Sequence, residues 1–160
     1  MRTSFYLIFL TVIAVVSLAG IQITETCDVT ALKAELKTEL KPKFKYDSSK
    51  TSRFSYKTKE QVKEIEIPLF MGEKYRFLFN TSCLTKNIKI EIHNKPIGHK
   101  KRTLLYSLDL KEGQTIYSYE PEKSRKMYIT YTIPKVETPI LEKDCLVFVV
   151  GYQIKVLKNM

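Results

Sequence analysis

Apolar residues recur along this chain at two different periods, and the change of period falls at Pro42. Between residues 28 and 41, Val29, Leu32, Leu36 and Leu40 are spaced 3, 4 and 4 apart, the rhythm of one helical face. Asp28 stands where an N-cap belongs and Pro42 where a helix must stop. Lys33, Lys37 and Lys41 each follow a leucine by one position, so their alkyl stems lie beside the apolar stripe while the ammonium groups stay in water. Such a helix can lie on a membrane surface or pack on its own domain, and a single helix of this length favours the second.

After Pro42 the period is two and the punctuation is turn chemistry, so residues 43–160 read as strands. Phe44 and Tyr46 are expected to face Phe54 and Tyr56 across Asp47-Ser48-Ser49-Lys50-Thr51. Residues 43–60 therefore read as a hairpin, either within the sheet or loosely attached to it. Ile65, Ile67 and Leu69 alternate with Glu64, Glu66 and Pro68, and Met71-Gly72-Glu73 turns the chain into Tyr75, Phe77 and Phe79. Ile88, Ile90 and Ile92 alternate with Lys89, Glu91 and His93, which places His93 on a solvated face at a strand end. A strand over 103–110 is expected to return as a strand over 115–120 through the hairpin turn Lys111-Glu112-Gly113-Gln114, with Gly113 supplying positive φ. Met127, Ile129, Tyr131 and Ile133 share one face of a further strand. The last strand, Cys145 to Val156, is apolar on both faces. The pattern predicts a mainly β fold: one antiparallel, jelly-roll-like β-sandwich of eight or nine strands with a short N-terminal amphipathic helix, its last strand central.

Composition adds a compartment. With 160 residues, 44% hydrophobic, the chain suits a single globular domain. Residues 1–19 stand apart: Arg2 precedes an apolar run from Phe5 to Leu18, and Ser17-Leu18-Ala19 has the small residues of a signal-peptidase site. A run of 14 residues is shorter than the ~20 needed to span a bilayer, and Glu25 does not fit a lipidation signal ahead of Cys27. A signal peptide over 1–19 and a mature β-sandwich domain over 20–160, exported to the periplasm or secreted and without a transmembrane segment, are expected. Export lets cysteines pair. Of the three pairings open to Cys27, Cys83 and Cys145, the bond from Cys27 to Cys145 would tie down the front of the mature chain and leave Cys83 as the odd thiol; Cys83 as a partner stays open.

Several chemistries lack their residues. His93 and His99 are the only histidines, and no metal-binding His or Cys spacing surrounds them. Gly72, Gly98, Gly113 and Gly151 are too scattered for a phosphate-cradling loop. A Cys83 nucleophile with His93 or His99 has no local motif. Glu64 with Glu66, and Glu120 with Glu122, are i, i+2 pairs that read as surface decoration. No catalytic residue, metal or cofactor is assigned. Asn80-Thr81-Ser82 matches a glycan acceptor placed in a turn.

Charge points to a surface. Removing residues 1–19 takes one Arg and no acid from a net charge of +10, leaving +9. Lys95, His99, Lys100, Lys101 and Arg102 form a loop without an acid, and Lys123-Ser124-Arg125-Lys126 a second basic turn. If both turns lie at one end of the sandwich, Lys100, Lys101, Arg102, Arg125 and Lys126 make a cationic rim beside Tyr128 that, with Arg76, meets an anionic polysaccharide, a phosphate or a lipid headgroup. Arg102 and Arg125 carry most weight, because guanidinium binds such groups bidentately. The plainer reading is that the basic turns keep sheet edges soluble and unpaired. Nucleic acid is disfavoured by export and by aromatics that alternate into the core.

The run from Pro68 to Phe77, then Tyr128-Ile129-Thr130-Tyr131 and Cys145 to Tyr152, resembles small exported proteins of Gram-negative bacteria that carry no assigned function. The likeness spans about Cys27 to Tyr152 and implies secretion or a periplasmic location, with no catalytic residues to carry over. The Gly-x-x-Tyr-x-Phe strand followed by a terminal apolar strand also resembles the jelly-roll accessory domains of secreted peptidases. The expected function is a non-enzymatic exported binding or structural module acting through its basic turns. Two alternatives remain: a module that binds another exported protein, for instance by strand addition at an uncovered sheet edge, and a hydrolase with an unrecognised carboxylate site. Since all five rim cations read as surface turn positions, replacing Lys100, Lys101, Arg102, Arg125 and Lys126 by Gln is expected to leave the melting temperature nearly unchanged in a thermal melt.

Overall fold

Strands with one apolar face must find a second layer, and this chain finds it by rolling up a ribbon of nested antiparallel pairs. The computed structural model describes residues 27–123 and 125–154. The expected signal peptide over 1–19, Ser124 of the second basic turn, and the end of the last strand at Val156 lie outside the described residues. Among the described residues, helix α1 (Val29–Leu40) precedes β1 (Lys45–Tyr56), β2 (Gln61–Ile67), β3 (Glu73–Asn80), β4 (Lys89–His93), β5 (Leu104–Ser107), β6 (Ile116–Tyr119), β7 (Met127–Ile133) and β8 (Ile140–Ile154). β1 pairs with β8, β2 with β7, β3 with β6 and β4 with β5, all antiparallel. The ribbon then closes on itself where β3 meets β8 and β4 meets β7. Two four-stranded sheets result, sheet A in the order β1-β8-β3-β6 and sheet B in the order β2-β7-β4-β5. This is an eight-stranded jelly roll, and it places β8 inside sheet A as the sequence predicts. No helix among the described residues is long and apolar enough to cross a membrane.

The core between the sheets is aromatic and aliphatic. Phe148 of β8 meets Phe77 edge-on at 5.2 Å and Phe79 at 4.9 Å between ring centres, while Phe54 of β1 reaches across to Tyr131 of β7 at 5.3 Å. Ile88, Ile90 and Ile92, with Ile129, Tyr131 and Ile133, are buried on the facing sheet.

The outer face of sheet A carries a second cluster. Val147 and Val149 of β8 and Leu78 of β3 pack against Leu36 and Leu40 of α1 and against Phe44. This accounts for the apolar character of both faces of β8. A 12-residue helix is marginal alone, whereas burying Leu36 and Leu40 contributes about 1.5–3 kcal/mol each, so α1 spends its apolar stripe on its own sheet. Asp28 caps the helix, accepting from the Thr30 and Ala31 amides at 3.0 Å. The Asn80 amide donates to Glu35 at 2.7 Å, and a Cys27–Cys145 disulfide with a Cα separation of 6.3 Å ties the start of α1 to β8.

The structure corrects three expectations. Residues 45–56 are one continuous strand rather than a hairpin: β1 pairs along β8 from Lys45 opposite Tyr152 to Tyr56 opposite Ile140, with register shifts near each end. Nothing in Asp47-Ser48-Ser49-Lys50-Thr51 supplies a positive φ, a 15-residue β8 offers a template for the whole length, and polar side chains suit a sheet edge. Second, the turn at 111–114 keeps its positive-φ Gly113, but its flanking strands do not pair with each other. β5 belongs to sheet B and β6 to sheet A, so this turn carries the chain between layers. Third, Asn80 is 1% exposed; with its amide bonded to Glu35 and its carbonyl to Ser82, the acceptor asparagine itself is buried and engaged.

Gly151 of β8 lies against Leu40 of α1, and a Cβ there would collide with the Leu40 side chain. Gly151→Ala is expected to cost about 1–3 kcal/mol and Leu40→Ala about 2–5 kcal/mol. The double variant should lose less than the sum, because each change makes room for the other; urea denaturation of the four proteins measures the cycle.

Candidate functional site

Strand direction decides which turns share an end. Ile67, the last residue of β2, lies opposite Met127, the first of β7, and His93, the last of β4, lies opposite Tyr128. The turns over 68–72, 94–103 and 120–126 are therefore together at the start of β7. The condition on which the cationic rim depended is met: both basic turns are at one end of the sandwich.

The 94–103 segment is the tip of the rolled ribbon, the connection from β4 to β5. Its neck is closed by Asn94, whose amide donates to the Thr103 carbonyl at 3.2 Å and whose side chain accepts from the Thr103 amide at 2.7 Å. Gly98 takes φ +83° at the bend. Arg102 straps the loop across the outer face of sheet B. Its guanidinium donates to Glu64 of β2 at 2.6 Å, to Thr130 of β7 at 2.7 Å, to His93 Nδ1 of β4 at 2.9 Å and to the Lys95 carbonyl at 3.1 Å. Thr130 in turn donates to Glu64 at 3.0 Å, and the Ile97 amide does so at 3.0 Å. The Arg102 and Glu64 side chains are only 18% and 16% exposed.

His93 is accordingly buried, not solvated: the bulge between Ile92 and His93 and the loop laid over it remove it from water. Burial, then the neighbouring Arg102 guanidinium, push its imidazole below the ordinary 6.5, and an Nδ1 that accepts from arginine is an unprotonated one. For Glu64, burial raises the carboxyl pKa, but the bonds from Arg102, Ile97 and Thr130 outweigh it and hold the group below 4.5.

The other named residues divide. Arg76 of β3 lies on the outer face of sheet A, where it donates to Glu120 at 2.5 and 2.9 Å and stacks 4.2 Å from the Phe44 ring centre. Its guanidinium is engaged on the opposite layer from Tyr128. Lys126 pairs with Glu66 at 2.7 Å, beside a half-buried Tyr128. Lys100, Lys101 and Arg125 are exposed, as are Lys95 and Lys123, and none of the five forms an ion pair among the described residues. Arg125 and Lys123 border a cleft of about 340 Å³ between the sheets, floored by Leu104, Leu105, Tyr119 and Met127; Tyr119 is stacked on Tyr106 at 4.6 Å.

Sequence reasoning missed an apolar component at this same end. Phe70 and Met71, in the turn from β2 to β3, are 74% and 90% exposed. The signal was present in Pro68-Leu69-Phe70-Met71-Gly72, where the apolar run continues past the end of alternation into a glycine turn. Ile97 and Leu104, within and just after the tip loop, are half exposed. Of the carboxylates considered for hydrolysis, Glu64 holds Arg102, Glu66 holds Lys126, and Glu120 holds Arg76 and Lys74. The Lys126 contact keeps Glu66 below its ordinary value. Burial raises Glu120, but Arg76 and Lys74 more than offset it. No protein-family model matches the chain, and no curated protein matches it.

Arg102 therefore departs from the expectation that all five rim cations are dispensable for stability. Arg102→Gln is expected to lose about 2 kcal/mol, because it strands the half-buried Glu64 carboxylate, whereas the quadruple Gln variant of Lys100, Lys101, Arg125 and Lys126 stays near wild type. Acid should weaken the same cluster. His93 has a folded pKa below its unfolded one, so its contribution is full above about pH 6.5 and declines as pH falls toward the depressed value; Glu64, also depressed, loses its share lower, as pH passes below 4.5. Urea midpoints from pH 7.5 to 4 check this, and His93→Gln should flatten the upper part of the decline.

Proposed function

We propose that this protein is an exported, non-enzymatic binding module that docks on an anionic membrane surface through the turn end of its sandwich. One observation carries the reading: exposed Lys95, Lys100, Lys101, Lys123 and Arg125 gather at the end where Phe70 and Met71 project from the β2–β3 turn. Peripheral attachment draws on these two contributions, burial of apolar side chains at the headgroup boundary and attraction of basic residues to anionic lipid. Each lysine near such a surface contributes about 1 kcal/mol. A soluble anionic polysaccharide would use the cations and leave Phe70 and Met71 without a role, which is why lipid is preferred. The Arg102 clamp supports the reading from below, because a loop strapped to three strands presents its lysines without first having to be ordered. The signal-peptide pattern of residues 1–19 supports action at an envelope membrane or in the space beside it.

Co-sedimentation with vesicles tests this. Binding to vesicles containing anionic lipid should fall as salt rises from ~50 to ~300 mM and should be weak on neutral vesicles. Phe70→Ser with Met71→Ser should reduce it at least about tenfold, as should Gln at Lys100, Lys101 and Arg125. Binding to an anionic polysaccharide that survives the Ser variants, with none to vesicles, would overturn the lipid reading.

A further inference from the structure

The opposite end of the sandwich holds a second arrangement, independent of the basic turns. The sulfur atoms of Cys27, Cys83 and Cys145 all lie within 4.8 Å of one another. Cys27 and Cys145 are bonded and buried, at 2% and 0% exposure, while Cys83 is a half-buried free thiol. Solvent therefore reaches the cluster at Cys83. With two of the three sulfurs joined, the set is not a three-thiolate metal site but a thiol beside a disulfide.

The loop that carries Cys83 is pinned on both sides. Before it, Asn80 accepts from the Ser82 amide at 3.0 Å and hydroxyl at 2.7 Å. After it, Thr85 donates its amide to Asp144 at 2.5 Å and its hydroxyl at 3.0 Å, and the Tyr56 hydroxyl donates to the same carboxylate. Asp144 is the residue before Cys145, so the bonds that hold the loop also hold its thiol against the disulfide.

We infer that the three cysteines form a thiol–disulfide exchange site in which Cys83 is the port through which an external thiol reaches the buried Cys27–Cys145 bond. Cys83 gives its proton to water and its thiolate attacks Cys145 Sγ; the Cys83–Cys145 bond forms, the Cys27–Cys145 bond breaks, and Cys27 leaves as a thiolate that takes up a proton. One disulfide and one thiol are present before and after, so no oxidant is consumed. A small thiol can then attack the half-buried Cys83 sulfur, form a mixed disulfide there and release Cys145. Loop-closure entropy depends only logarithmically on the separation of the bridged residues, so the two pairings differ little in that respect. What changes is the tether: α1 loses its covalent link to β8 and is held by Leu36, Leu40 and the Asn80–Glu35 bond.

Two measurements on the folded, oxidised protein test this, using glutathione as the thiol. In wild type, acid quenching after incubation at pH ~8, alkylation and peptide mapping should find a fraction of chains with Cys83 in a disulfide and Cys27 alkylated. Native-state reduction of Cys27–Cys145 should slow at least about tenfold in Cys83→Ser, since a tethered thiol is present at far higher effective concentration than a dissolved one. Equal reduction rates in wild type and Cys83→Ser, or Cys83 as the sole alkylated cysteine of unreduced wild type at every time, would overturn the inference. Thermal melts of the Ser variant show that it keeps the fold in which the rates are compared.

Discussion

Burial of β8 on both faces is the constraint from which the remaining architecture follows. A strand that presents Leu146, Phe148 and Val150 to one side and Val147 and Val149 to the other, all at or below 1% exposure, cannot sit at a surface or an edge. It must be flanked by strands and covered twice. β1 and β3 flank it, sheet B covers its inner face, and α1 covers its outer face. The length of β8 then dictates that of β1, because the open backbone of a 15-residue strand is satisfied by a long partner. Gly151 belongs to the same constraint: under Leu40 of α1 only a residue without a side chain leaves Leu40 in place.

Rolling a ribbon of nested pairs sorts the connections into two groups, and each end received a different chemistry. At one end, cations and apolar turn residues collect over a base made rigid by Arg102, whose guanidinium joins β2, β4, β7 and its own loop. Paired ions this far removed from water offset their desolvation through several good hydrogen bonds, and the partly buried Arg102 and Glu64 have them. The lysines that remain exposed are thus displayed from a fixed scaffold. At the other end, Asp144 organises the β3–β4 loop through Tyr56 and Thr85 and sets the position of Cys83. In both cases a half-buried or buried charge determines the geometry of a loop, and the exposed reactive or charged groups inherit it.

The sequence by itself determined the helix and its limits, the two-layer β class, the central last strand and the separation of basic turns from apolar strands, while it left three cysteine pairings open. These properties are local or nearly so: a period of 3.6 or of 2 is written in consecutive side chains, and a strand apolar on both faces announces its own burial. Tertiary structure alone decided the partners. Polar residues over 47–51 look the same in a turn as on an edge strand, and only the unbroken β8 alongside made them strand. The turn at Gly113 has hairpin chemistry, yet its two strands belong to different sheets because β4 and β3 compete for them. His93 and Arg102 both read as solvated from their neighbours in sequence; the fold buries His93 and covers most of Arg102, because Glu64, about 30 to 40 residues upstream, supplies the charge that makes covering a guanidinium tolerable. The gathering of Phe70, Met71 and the lysines at one end, and of three sulfurs at the other, depends on strand direction, a property of the fold that no stretch of the chain encodes alone.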